Sequence, residues 1–168
     1  MSTQLRALAV GLLCVLALWL TGCAQPVPAP PTDTTTPSYW RGRLALRVET
    51  PEPTSFFAGF ELSGQARAGE LLLSSPLGTT LAQLRWSPAY ALLRNNGETR
   101  AFDSLDALAT EATGTDIPIA ALFQWLQGQP ATAHGWQADL SQLGEGRLVA
   151  RRVQPAPAAE LRLILEQP

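Results

Sequence analysis

The stretch Leu71–Trp86, LLLSSPLGTTLAQLRW, decides how this chain folds. Two runs that read as strands flank Ser75-Pro76-Leu77-Gly78, a tetrapeptide with turn chemistry. The proline ring pre-sets φ for the second position of a type I turn, and glycine suits the fourth. The stretch therefore reads as a β-hairpin with Leu77 at its tip, where a side chain points away from the sheet. A leucine left in water forgoes about 1.5–3 kcal/mol of burial, and turn tips are normally polar. Either the rest of the fold covers Leu77, or the leucine meets something apolar that is not part of this chain.

Outward from the hairpin, the pattern keeps a period of two. Arg43–Val48 places Leu44, Leu46 and Val48 on one face, with Arg43 and Arg47 on the other. Ser55–Leu62 puts Phe56, Ala58, Phe60 and Leu62 together and Phe57, Gly59 and Glu61 opposite. Within the hairpin, Ala82, Leu84 and Trp86 share a side. Tyr90–Arg94 and Glu98–Phe102 follow, joined by Asn95-Asn96-Gly97, a strong hairpin signal. Short strands at close spacing predict an antiparallel meander.

The period then changes. Ser104–Thr113 reads as a helix, with Asp103 or Ser104 as N-cap and Gly114 as C-cap. Ile119–Gln127 carries Ala121, Leu122, Trp125 and Leu126 at helical spacing between Pro118 and Gly128. Three more strand candidates follow at Trp136–Leu140, Gly146–Val153 and Glu160–Leu165. Helices inserted in a continuous antiparallel sheet pack on one of its faces. If the sheet curves, the space between sheet and helices becomes a concave apolar pocket. From facing alone, Phe60, Leu84, Leu122 and Trp125 are the candidates to line it.

Residues 1–22 read as a signal peptide rather than as part of the fold. Arg6 precedes the apolar run Ala7–Leu20, which is short of the ~20 residues of a membrane-spanning helix. Leu20-Thr21-Gly22-Cys23 resembles the processing site of bacterial lipoproteins, so Cys23 is the expected lipidated first residue. Alanine rather than aspartate at position 24 is compatible with export to the outer membrane. Residues 23–38 contain Pro26, Pro28, Pro30, Pro31 and Pro37 and no sustained apolar pattern, the composition of a semi-rigid tether. Residues 39–168 are then the single folded domain.

Composition narrows the chemistry. With Cys14 leaving in the signal peptide and Cys23 carrying lipid, no cysteine remains for a disulfide or a thiol nucleophile. His134 is the only histidine, which leaves no His/Cys zinc site, and it reads as a loop residue. No cofactor or metal motif is present, nor a nucleophile elbow. Asp103 and Asp106 form a possible carboxylate pair, but at a helix start they fit capping and the helix dipole better. Without Arg6 the chain carries 11 arginines, no lysine and 14 acidic residues, a net −3 with no basic run, so nucleic acid is not an expected partner. Arg41, Arg43, Arg47, Arg151 and Arg152 read as one solvated face, or more sharply as a docking patch for an acidic partner. A membrane-tethered domain with apolar helix faces, an apolar turn tip and no reaction chemistry suits handling a lipid, and an enzyme is not expected.

These residues resemble a known family. LLLSSPLGTT, followed by Ile117-Pro118-Ile119, Leu122, Trp125-Leu126, Gly128 and Pro130, is similar to the LolB family of outer-membrane lipoprotein receptors. The lipobox, Gly42-Arg43 in the first strand and the terminal strands fall in the family's order. The resemblance implies a mainly β fold with α: an open, half-closed antiparallel β-barrel whose short helices lid a hydrophobic cavity. It also implies a function: accepting lipoproteins from the periplasmic carrier LolA and placing them in the inner leaflet of the outer membrane. The partners implied are LolA, acylated cargo and outer-membrane lipid, with the receptor a lipid-anchored monomer facing the periplasm. By the same resemblance Pro76, Leu77 and Gly78 form the membrane-insertion loop, with Leu77 exposed. Two departures stand out: no helix fits between the tether and the first strand, and the C-terminal strands are compressed. The competing reading is a structural lipoprotein whose β-domain docks envelope proteins, which needs a flat surface and a filled interior.

Overall fold

The structure, a computed structural model, describes residues 38–166. The expected signal peptide, Cys23 and all but the last residue of the expected tether lie outside the described residues; Ser38, read as the end of the tether, is instead the first residue of a strand. Ten strands form one antiparallel sheet, in the order β6-β5-β4-β3-β2-β1-β10-β9-β8-β7. They are β1 (Ser38–Glu49), β2 (Thr54–Gly64), β3 (Gly69–Ser74), β4 (Thr80–Ser87), β5 (Tyr90–Asn95), β6 (Glu98–Phe102), β7 (Thr132–Ala133), β8 (Trp136–Asp139), β9 (Arg147–Arg152) and β10 (Ala158–Leu165). Helices α1 (Leu105–Thr113) and α2 (Ile119–Leu126) lie between β6 and β7 in the chain. Strands β6 and β7 are the two edges and do not pair, so the sheet is open, with its helices, as expected.

The period-two pattern explains which face is covered. Leu46, Val48, Ala58, Phe60, Leu62, Leu71, Leu73, Ala82, Leu84 and Trp86 are all buried, and their alternate neighbours face outward. The last strand supplies Ala159, Leu161 and Leu163 to the same core. Strand β1 starts at Ser38, five residues before the first strand read from the sequence, and so makes Trp40 a strand residue. Strand β7 was not anticipated. It pairs with β8 through the two-residue turn His134-Gly135, where both residues have positive φ (50° and 78°). A turn of that hand matches strand twist and explains why Gly135 follows the histidine.

Local chemistry sets the helix ends. Ser104 Oγ accepts from the Ala107 amide at 3.1 Å, and Gly114 closes α1 at φ 75°. Of the two acidic residues at this start, Asp106 lies in the first turn, where the helix dipole favours it. Helix α2 is apolar on nearly every side: Ile119, Ala121, Leu122, Phe123, Trp125 and Leu126 are buried. Phe123 meets Trp40 and Trp86 edge-on, with ring centroids 5.6 and 6.2 Å away, so one phenylalanine ties α2 to β1 and β4. Phe123→Ala is expected to lower the free energy of unfolding by about 3–5 kcal/mol in chemical denaturation. A loss below about 1 kcal/mol would show that this contact does not hold the helix.

Candidate functional site

Two features make the candidate site. The first is the turn between β3 and β4. The Gly78 amide donates to the Ser75 carbonyl at 2.9 Å, the Ser75 amide donates to the Thr79 carbonyl at 2.8 Å, and Gly78 has φ 83°. The register slips between Leu73 and Ser74, so that Leu73 faces Ala82 while Ser74 faces Thr80. The loop is thus a type I turn followed by a left-handed glycine and a bulge. Leu77 at its tip is 95% exposed, and of the two readings of this leucine the chain takes the uncovered one.

The second feature is an apolar space between the sheet and the helices. Its lining includes Phe60, Leu73 and Leu84 from the sheet, Leu161 and Leu163 from β10, and Leu122 from α2. The lining exposes no polar surface, and the volume is about 30 Å³. A single water needs about 10–15 Å³, so the interior is narrow and close to filled. Three of the four expected lining residues, Phe60, Leu84 and Leu122, are brought together there. Trp125 is not: it is fully buried away from the space, and its indole N–H donates to the Ala131 carbonyl at 2.9 Å. Helical spacing places Leu122 and Trp125 on one stripe, but the indole needs an acceptor, and the chain after α2 supplies it.

Sequence reasoning missed the β1 and β10 contribution, since nothing local announces that Leu44 will face Leu163. Both strands do carry the Leu-x-Leu alternation that marks them as facing the same way. It also missed what holds the α1–α2 loop. Arg152 was read as part of a solvated face; it is instead 4% exposed, because position 152 falls on the inward side of β9. Its guanidinium pairs with Asp116, donates to Thr115 Oγ1 at 2.7 Å and to the Pro157 carbonyl at 3.0 Å, and lies 5.5 Å from the centre of the Trp136 ring. Burial pulls its pKa below the ordinary arginine value, yet an arginine so paired stays charged. The Trp136 indole donates to the Asp116 carbonyl at 2.9 Å, and His134 Nδ1 lies 3.4 Å from Asp116 Oδ2. His134 is therefore a partly exposed partner of this loop anchor. Arg41, Arg43, Arg47 and Arg151 are exposed on the outer face as expected.

Comparison with known proteins fits this geometry. The family model described as "Outer membrane lipoprotein LolB" matches residues 39–156, from the first strand to the connection before β10. The chain belongs to the LolB family. It is 33% identical to the "Outer-membrane lipoprotein LolB" of Bordetella petrii, covering 96% of this chain and 92% of that protein. The protein of the same name from Cupriavidus pinatubonensis is 34% identical over 88% of this chain and 73% of its own length. Both regions that carry the LolB resemblance, the Pro76-Leu77-Gly78 turn and the α2 segment, fall inside the matched residues.

The anchor around Arg152 makes a checkable statement about the lid of this LolB-family domain. Asp116→Ala is expected to destabilise by about 2–3 kcal/mol, because it strips a buried cation of its counter-charge. Amide exchange in Gly114–Ile117 should accelerate more than in β3 and β4. Equal acceleration everywhere would mean the pair serves global stability and not the loop.

Proposed function

We infer that this chain is an outer-membrane lipoprotein receptor that takes acylated proteins from the periplasmic carrier LolA and inserts them into the inner leaflet of the outer membrane. The observation that carries this reading is a single hairpin with two apolar ends. Leu71, Leu73 and Leu84 on its arms line the interior, while Leu77 at its tip stands in solvent.

The physical requirement is strict. An acyl chain in water costs about 0.8 kcal/mol per CH₂, so cargo must pass from one apolar space to another. An interior of about 30 Å³ cannot accept such a chain as it stands. Helices α1 and α2 must therefore move off the sheet as the chain enters, exchanging their own apolar contacts for contacts with the ligand. That exchange keeps the empty receptor from exposing its interior and makes binding weaker than full burial would be, which favours release to the bilayer.

In this reading residues 1–22 are removed, Cys23 carries the lipid and the segment from there to β1 tethers the domain to the membrane on its periplasmic side. The receptor works as a monomer and performs no bond chemistry; no cofactor takes part. A lipoprotein that only docks envelope proteins would also have a nearly filled interior, but it would have no use for a bare leucine at a turn tip, and the family match favours the receptor.

Leu77→Glu is the direct test. The side chain is almost wholly exposed, so thermal stability should stay within about 0.5 kcal/mol of the parent. Delivery of cargo from the carrier into liposomes should fall to background. Undiminished delivery would remove Leu77 from the mechanism.

A further inference from the structure

We propose that the outer face of the sheet beside the Leu77 turn holds a binding groove for the phosphate of a membrane phospholipid, with Arg43 as its cation. The proposal rests on the reading that Leu77 enters lipid, and it adds a headgroup site to that contact.

The groove is built by a row across four strands: Ile164, Arg43, Gly59 and Ser74 are consecutive cross-strand partners. It encloses about 320 Å³, and its wall includes Phe57, Ser75 and Pro76. Gly59 is its floor. A Cβ there would come 2.6 Å from Ser74 Oγ, so any side chain at this position would fill the groove.

Charge within the groove is unevenly spread. Arg41 is held by Glu166 at 2.6 Å, and Glu61 accepts from the Tyr39 hydroxyl at 3.0 Å. Those groups lie one register step further from the turn. Arg43, on the same row as Ser74, has no carboxylate partner among the described residues. The end of the groove nearest the turn therefore offers an unpaired guanidinium and a hydroxyl, which suit a phosphate. Next to them Phe57 is 66% exposed and Ile164 50% exposed. An apolar ring beside an arginine divides as interfacial segments do, the phenylalanine toward the acyl boundary and the guanidinium at the headgroups.

Depth fits the same occupant. Leu77 lies three residues beyond Ser74, at most ~10 Å along an extended chain. Apolar elements at an interface sink ~5–10 Å below the headgroups. With Leu77 among acyl chains, Arg43 stands at phosphate level, and the carboxylates of Glu61 and Glu166 stay on the water side.

The test uses the full lipidated chain anchored in vesicles of phosphatidylethanolamine and phosphatidylglycerol. An environment-sensitive fluorophore on Thr79→Cys reports entry of the turn by a blue shift in emission. Arg43→Gln should weaken docking about fivefold, the effect of one cationic side chain at an anionic surface. Arg43→Lys should keep most of the docking, and added salt should weaken the parent more than Arg43→Gln. If Arg43→Gln docks like the parent while Leu77→Glu does not, the phosphate site is wrong and the leucine contact stands. No blue shift in the parent itself would overturn the leucine contact and the site with it. Displacement of the turn by millimolar inorganic phosphate would overturn the lipid assignment, leaving a small-anion site.

Discussion

The pairing of β1 with β10 is the constraint on which the rest of the structure depends. It runs from Gly42 opposite Leu165 to Glu49 opposite Ala158, and it joins the six-stranded N-terminal meander to the last four strands. Both parts supply the space beneath the helices, the first through Phe60, Leu71, Leu73 and Leu84 and the second through Leu161 and Leu163. At Gly42 the two strands approach so closely that a Cβ would collide with the Ile164 carbonyl, which accounts for glycine inside an otherwise leucine-rich strand. Once the strands pair, Leu44 and Leu46 lie beside Leu161 and Leu163, and these four form one side of the apolar interior.

The helices above that surface are held by two different kinds of interaction. Phe123 sits against two tryptophans, a contact of area and shape that an apolar ligand can replace at modest cost. The α1–α2 loop is fixed by Arg152, whose charge is satisfied only in one arrangement with Asp116, Thr115 and Pro157. A buried ion pair contributes little net stability compared with an apolar replacement, but breaking it is costly. The loop is thus the natural fixed point and the apolar helix faces the natural yielding surface. This division suits a space that must open for a chain of CH₂ groups and close again without one.

How much of this was legible in the sequence follows from the range of the physics involved. The meander, both helices and the Ser75–Gly78 turn depend on residues within a few positions of one another, and alternation, Ser104, Gly114 and Pro118 marked them. The exposure of Leu77 was local in cause but not in outcome, because whether anything covers a turn is decided by the whole fold. Arg152 shows the opposite failure. Five arginines looked alike, yet the burial of one follows from the phase of β9 against β10, set by pairings across the sheet. Trp125 was misplaced because helical spacing fixes a stripe and not the depth at which an indole finds its acceptor. The two-residue strand β7 carries no period at all; its pairing with β8 across the positive-φ turn at His134 and Gly135 defines it.

The geometry also bears on how one small domain can both hold and hand over an apolar ligand. Leu71 and Leu73 face the interior from β3, Leu84 does so from β4, and the same two strands end in the turn that carries Leu77. A paired hairpin is stiff along its length, so the interior wall and the exposed leucine move as one body. If the tip meets a bilayer as proposed, that contact sets the position of the wall relative to the membrane with no separate hinge. The bulge between Leu73 and Ser74 is the one place where this hairpin departs from regular register, and it lies between the inward leucines and the exposed one. A bulge adds local twist, so the aim of Leu77 can be set without disturbing the inward facing of Leu73. The hairpin read first from the sequence is therefore a single lever with one apolar end inside the protein and the other outside it.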